Sequence, residues 1–368
     1  MTRGFSLYLD ALRFGAALVV VLSHLGYERF TGGHLGWIRD LNLGSDAVVV
    51  FFVLSGLVIA FSAERKDPTL GRFAFNRLTR VMSVALPTLL VGFVLDRSGA
   101  ALAPGFYYAP FYAPLPLPEL LLRGLTFSNE WAGLDRRLGT NGPYWSLSYE
   151  VAYYALFAIG FYLRGTRRAV LLAAGALLAG VNILLLMPSW LLGVWVWRRL
   201  SQGRLPSRSV ALGLAVSAPL AYAAALWFGV PGLLRELTET ILSVPPGRVL
   251  RFSDEFLWNG LIGIAFALHL LGMARLLRPT ERDGKAIRWL AGGSFSLYLL
   301  HYPLLQFFGG TLPKTGAFPV DAAALLGATL AVCYAFAQVF ERTLPAQRRM
   351  IARLRMDRGA EQAQPRRA

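Results

Sequence analysis

Residues 46–63 read DAVVVFFVLSGLVIAFSA, one ionisable side chain at the edge of an otherwise uncharged run. A bilayer-crossing helix needs about 20 mostly apolar residues, and this stretch approaches that length. Working outward, comparable runs cover 7–26, 81–96, 144–163, 169–187, 188–197, 210–228, 255–274, 287–308 and 320–340. The composition agrees. The 368-residue chain is 55% hydrophobic and 16% charged, with a mean hydropathy of +0.48, whereas a soluble domain is roughly 25% charged. These features predict an all-α polytopic membrane protein of about ten transmembrane helices, embedded in a lipid bilayer.

Charge sets the orientation. There are 37 basic residues, 34 of them Arg, against 21 acidic ones. They collect between the apolar runs, so nucleic acid is not the partner they imply; that would require a basic face on a soluble fold. Lys and Arg accumulate in cytoplasmic loops. With ten spans and both termini cytoplasmic, 26 of the basic residues fall inside and 10 outside, with Arg13 within a span. Merging 169–187 with 188–197 into one span would reverse the asymmetry of the second half. The Pro- and aromatic-rich segment 97–143 then reads as an outer cap, with 230–254 as its smaller counterpart. Residues 1–341 form the transmembrane domain and 342–368 a short Arg-rich cytoplasmic tail. Cys333 is the only cysteine, and no Cys/His cluster has metal-ligand spacing, so no metal is expected.

Ionisable residues within a span are costly and point to function. Arg13 and His24 are eleven residues apart, three helical turns plus ~20°, so they share a face and are separated by ~16 Å of rise. Asp10 lies one turn from Arg13 and can pair with it. Glu150, below the start of the fourth span, is expected at the depth of His24, where a carboxylate could orient an imidazole acting as a base. His301 falls near the same level on the ninth span. His269 and His34 read as structural and solvated, respectively. In the loop after the second span, Arg77 and Arg80 project to one side, and guanidinium forks suit phosphate. A phosphate-bearing donor at the inner end and a His/Glu pair near the outer end would suit group transfer across the membrane. A proton-coupled small-molecule transporter is the rival reading, because the same buried groups make proton relays.

The residues resemble those of acyltransferase family three, the integral-membrane acyltransferases of bacterial surface glycans. Arg13, ten residues and His24 match the family's basic-x10-His signature. Phe51-Phe-Val-Leu-Ser55-Gly56 is similar to its FFxLSG segment, and Arg77 to Arg80 to its Arg-x-x-Arg motif. Trp145-Ser146-Leu-Ser148-Tyr-Glu150 resembles its WSLSxE segment, and the stretch from Ser294 through Tyr298 and His301 to Pro303 its SxSxYLxHxP segment. Val151 departs from the pattern, since many members carry a second acidic residue there. The resemblance implies an acyl-CoA co-substrate, acetyl-CoA first, a glycan or glycolipid hydroxyl as acceptor, and a place in the bacterial inner membrane. It implies His24, Glu150 and Arg13 as catalytic residues, and Arg77, Arg80 and Arg13 as the donor-binding set. Asp10, Ser55, Trp145, Ser146, Ser148, Tyr298 and His301 are the substrate or supporting residues.

Overall fold

The computed structural model describes residues 1–277 and 284–351, and within these the regular structure is helical. Ten helices of fifteen residues or more follow one another: α1 Arg3–Leu25, α2 Leu43–Arg65, α3 Leu70–Leu102, α4 Trp145–Tyr162, α5 Gly165–Ala179, α6 Val181–Ser201, α7 Arg208–Trp227, α8 Phe256–Leu276, α9 Ser294–Thr311 and α10 Phe318–Phe340. Seven of them (α1, α2, α3, α6, α7, α8 and α10) are long and apolar enough to cross a membrane. The other three, α4, α5 and α9, are shorter or more polar. Large apolar side chains such as Leu177, Trp227 and Phe228 lie exposed, an arrangement suited to lipid and a liability in water.

The helices alternate between two ends. At one end Tyr162 donates to the Asp67 carbonyl and Arg80 pairs with Glu341; this is the arginine end. At the other, Asn42 donates to Glu255, and His34 stacks on Phe318 4.2 Å away. Residues 103–144 and the helix Val230–Leu242 lie at this second end, the cap end. The start of α1 and the end of α10 both lie at the arginine end. Residues 342–351 do not hang free: Leu344 is buried, and Arg348 donates to Thr79 Oγ1 and to the Asn76 carbonyl. The rest of the expected tail, 352–368, lies outside the described residues.

Several boundaries differ from the sequence expectation: α3 begins at Leu70, so Arg77 and Arg80, expected in a loop, lie on it, and the segment 287–308 is divided at Gly292 and Gly293. The break between the fifth and sixth segments falls at Gly180, not at Pro188, which is inside α6. Gly180 has φ 82°, and a Cβ there would meet the Ala132 Cα at 3.0 Å, so the turn is open to glycine alone. Proline is tolerated inside a buried helix when the carbonyl it frees finds another donor. Two prolines here show how. Pro219 cannot donate to the Ala215 carbonyl one turn back, and that oxygen accepts from His269 Nδ1 at 2.9 Å. Pro303 likewise frees the Leu299 carbonyl, which accepts from Asn141 Nδ2 at 3.0 Å. His269 is thereby accounted for as structural, its Nε2 facing the Tyr8 hydroxyl at 2.5 Å.

Of the seven apolar helices α2 is the most enclosed, and it packs on α1, α4, α6 and α8. Its contact with α6 depends on two glycines. A Cβ on Gly56 would stand 2.0 Å from the Trp190 carbonyl oxygen, and one on Gly193 would stand 1.9 Å from that of Val53. Both neighbours are backbone and cannot swing aside. Gly56→Val should therefore cost at least ~1–3 kcal/mol and lower the melting temperature of the detergent-solubilised protein. Gly213→Ala, where nothing lies within 4 Å, should match or exceed the parent. Equal melting of the Gly56 variant and the parent would remove the proposed close approach.

Candidate active site

The expected site residues fall into two groups along the bundle. The lower group lines a cavity of about 230 Å³ that includes Arg13, Arg77, Arg80, Ser55, Glu150 and Tyr298. Arg13 is half-buried and keeps Asp10 at 3.5 Å. Neither of the two α3 arginines stands alone. Arg80 meets Glu341 at 2.8 Å; Arg77 donates to Ser62 Oγ at 3.2 Å and has Asp67 at 3.7 Å. Both carboxylates are buried. Glu341 also accepts from the Ser296 amide at 2.8 Å, which joins the arginine cluster to the first turn of α9. Asp67 and Glu341 were missed in the sequence because their partners lie ten and 261 residues away; their only signal was a lone carboxylate at the edge of an apolar run.

Glu150 belongs to this lower group, and the expected pairing with His24 is not made. Its Oε1 accepts from Ser55 Oγ at 2.6 Å and from the Tyr154 hydroxyl at 2.5 Å, while Trp190 Nε1 donates to the same Ser55 Oγ at 3.2 Å. The reason is helix adjacency. α4 packs on α2, α3, α5 and α6, whereas α1 packs on α2, α9 and the helix Lys285–Ala291. Glu150 sits in the second turn of α4, facing mid-α2. His24 sits in the last turn of α1, at the cap end.

The upper group is centred on a histidine pair. His301 Nε2 lies 3.0 Å from His24 Nδ1. His301 Nδ1 lies 2.9 Å from the Leu297 carbonyl, and a carbonyl can only accept, so the His301 proton is on Nδ1 and Nε2 is a bare acceptor. His24 Nδ1 also lies 3.0 Å from the Val20 carbonyl. Facing two acceptors, it carries the proton, and the lone pair of His24 is on Nε2. His301 therefore fixes the tautomer of His24 that can take a proton from another molecule. The Tyr302 ring meets His24 edge-on at 4.9 Å, Tyr27 stacks on His24 at 6.1 Å, and the two tyrosine rings contact each other. Tyr302 is held by Arg29 Nη2 at 2.8 Å; Arg29 also donates to Gln306 and lies 3.9 Å from the Phe111 ring centre. The aromatic cap segment thus reaches the surroundings of the histidine pair through Tyr27 and Arg29.

A polar constriction separates the groups. Ser146 Oγ and the Tyr298 hydroxyl are 2.7 Å apart and both residues are buried. Tyr298 lines the lower cavity and lies one helical turn below His301. Ser148 faces the cap and donates to Asn129 Oδ1 at 2.6 Å, and Trp145 stacks on Phe252 at 4.4 Å. Among the described residues no cluster of His, Cys, Asp and Glu has the arrangement of a metal site.

Comparison with known proteins places these features in context. A family model described as an acyltransferase domain matches residues 6–338. Acyltransferase MdmB of Streptomyces mycarofaciens is 32% identical over 160 residues, which is 42% of this chain and 39% of that protein. The matched stretch is therefore well under two thirds of either. No solved structure matches.

The cap segment carries a measurable titration. Glu130 is 5% exposed, and burial, reinforced by nearby Asp135, pushes its carboxyl up to about 8 despite opposing contributions from Asn129, Arg251 and Arg137. Above about 4.5, its ordinary value, the unfolded chain releases a proton that the folded chain keeps. Glu130 should therefore make stability fall as pH rises between roughly 4.5 and 8, with no further loss above that window. Glu130→Gln should flatten this slope and melt above the parent at about pH 8.5. Thermal unfolding across the range checks it, and an unchanged slope would contradict the burial of an ionisable Glu130.

Proposed function

Because the chain belongs to the acyltransferase family whose model spans residues 6–338, and is a multi-pass membrane acyltransferase, we propose that it carries an acyl group across the bacterial inner membrane. The donor is cytoplasmic acyl-CoA, acetyl-CoA first, and the acceptor a hydroxyl of an extracytoplasmic glycan or glycolipid. In this reading ten crossings bring both termini to the arginine end, and the excess of basic residues there assigns that end to the cytoplasm.

The observation that carries this reading is the stacking of two unlike polar groups at successive levels of the bundle, the arginine-lined cavity and, beyond Tyr298, the histidine pair. Arg77 and Arg80 stand at the cytoplasmic mouth, where they bind the coenzyme A phosphates by charge-assisted hydrogen bonds. Both are paired with carboxylates in the free protein, so donor binding exchanges one anion for another. The pantetheine arm passes Arg13 and Glu150 and displaces the Ser146–Tyr298 contact to bring the thioester to the histidine pair. His24 Nε2 removes the acceptor hydroxyl proton as that oxygen attacks the thioester carbonyl carbon. The carbon–sulfur bond then breaks, and the imidazolium returns the proton to the departing thiolate. The products are an ester and free coenzyme A. His301 is a positioning residue for His24. Glu150, with Ser55 and Tyr154, supports the wall of the passage beside Arg13.

Binding and chemistry should separate in variants. His24→Ala should bind coenzyme A as the parent does and release no thiol from acetyl-CoA in the presence of acceptor. Arg77→Ala with Arg80→Ala should weaken coenzyme A binding, each lost contact being worth ~1.5–3 kcal/mol. Calorimetry on the solubilised proteins, with elution volume as the check of folding, measures both. Parent-like affinity in a folded double variant would contradict the donor site, and full transfer by His24→Ala would contradict the base.

A further inference from the structure

A second cavity, of about 570 Å³, opens at the cap end between the cap segment and residues 247–252. Its size is ordinary for a small-ligand site, ~300–1,000 Å³. Its aromatic wall is the parallel pair Trp145 and Phe252, with ring centres 4.4 Å apart and planes inclined by 3°. Its polar wall is built from buried groups. Asn129 Nδ2 donates to Glu130 Oε1 at 3.1 Å and is anchored through Ser148, so Glu130 is fixed to the first turn of α4. Asn141, 5% exposed, donates through Nδ2 to the Leu299 carbonyl freed by Pro303. Its Oδ1 is buried and has no hydrogen-bond partner, and a buried acceptor of this kind is normally satisfied.

The cavity is linked to the histidine pair through Asn141 and Arg137. Leu299, which holds Asn141, precedes His301 by two residues. Arg137 lines the cavity and is close enough to act electrostatically on His24.

Resting on the proposed acyl transfer, we propose that this cleft is the acceptor subsite and takes a neutral sugar ring, with Glu130 and Asn141 reading its hydroxyls. Two of the three arginines of the cleft are paired with carboxylates, Arg251 with Asp135 at 2.7 Å and Arg136 with Glu119 at 3.3 Å, and Arg137 Nη1 is held by the Pro110 carbonyl at 2.9 Å. A charged ligand would have to break such pairs, whereas a polyol needs hydrogen bonds and an apolar face. The orphaned Asn141 oxygen accepts from a hydroxyl. Glu130, which keeps its proton at neutral pH, donates to one. The Trp145–Phe252 pair meets the C–H face of the ring.

The probe is a printed array of neutral mono- and disaccharides, exposed to labelled protein in lipid nanodiscs saturated with coenzyme A. The parent should be retained on a subset of sugars. Glu130→Ala and Asn141→Ala should each lose about tenfold or more in affinity, the value of one buried hydrogen bond. Glu130→Gln, which keeps a donor in the same place, should stay within about threefold of the parent. All three should bind coenzyme A unchanged. Retention on no sugar, or equal retention of the parent, Glu130→Ala and Asn141→Ala, overturns the subsite. If sugars bind with the expected variant pattern but stimulate no thiol release from acetyl-CoA, the transferase reading fails and the subsite stands. If sugars stimulate thiol release with the same KM in Glu130→Ala and the parent, the subsite fails and the transferase reading stands.

Discussion

Inside an apolar bundle no bulk water answers a broken hydrogen bond or a stray charge, so protein must do so. That constraint decides where the helices of this chain lie. Pro219 and Pro303 each free a carbonyl, and each carbonyl is taken by a side chain from elsewhere, His269 and Asn141. Asp46, at the cap end of α2, is held by Tyr222 and Trp258 at 2.6 and 3.0 Å. At the arginine end Glu341 binds Arg80 and the Ser296 amide together. These contacts link segments far apart in sequence, and they fix the register of α9 against its neighbours more tightly than packing of uniform apolar faces could.

The register of α9 in turn sets the two polar groups. Residues of one helix reach all levels of the proposed passage: Ser296 joins the arginine cluster through Glu341, Tyr298 forms the constriction with Ser146, and His301 aligns His24. Pro303 then turns the Leu299 carbonyl over to the cap. A single rigid element thus couples the donor end, the constriction and the base. In the proposed transfer the Ser146–Tyr298 hydroxyl pair exchanges its partners for the entering chain.

Much of this was legible in the sequence. The apolar segments are helical apart from breaks at Gly180 and at Gly292–Gly293, and Arg13, Arg77 and Arg80 line one cavity; Glu150 lines it too, below its expected level beside His24. Spacing along one helix is fixed by geometry, which is why the Arg13–His24 line could be drawn. The pairing of His24 with a carboxylate could not be read the same way, because it depends on which helices are neighbours. The α1 helix meets α9 instead of α4, and His301 takes the place expected of Glu150. The carboxylates of Asp67 and Glu341, the aromatic cage around Arg29 and the cap cleft all arise between distant segments, where no periodicity carries a signal. The helix break at Gly180 was hidden for a different reason: proline is the louder mark, but glycine supplied the backbone conformation.

The central claim is that donor and acceptor reach His24 from opposite ends of the bundle. Sealed vesicles of known orientation test it most directly, with labelled acetyl-CoA supplied only at the arginine end and a glycan acceptor only at the cap end. The account predicts that label appears on the cap-side acceptor and disappears in His24→Ala vesicles. Labelling that occurs only when donor and acceptor share one side would contradict it.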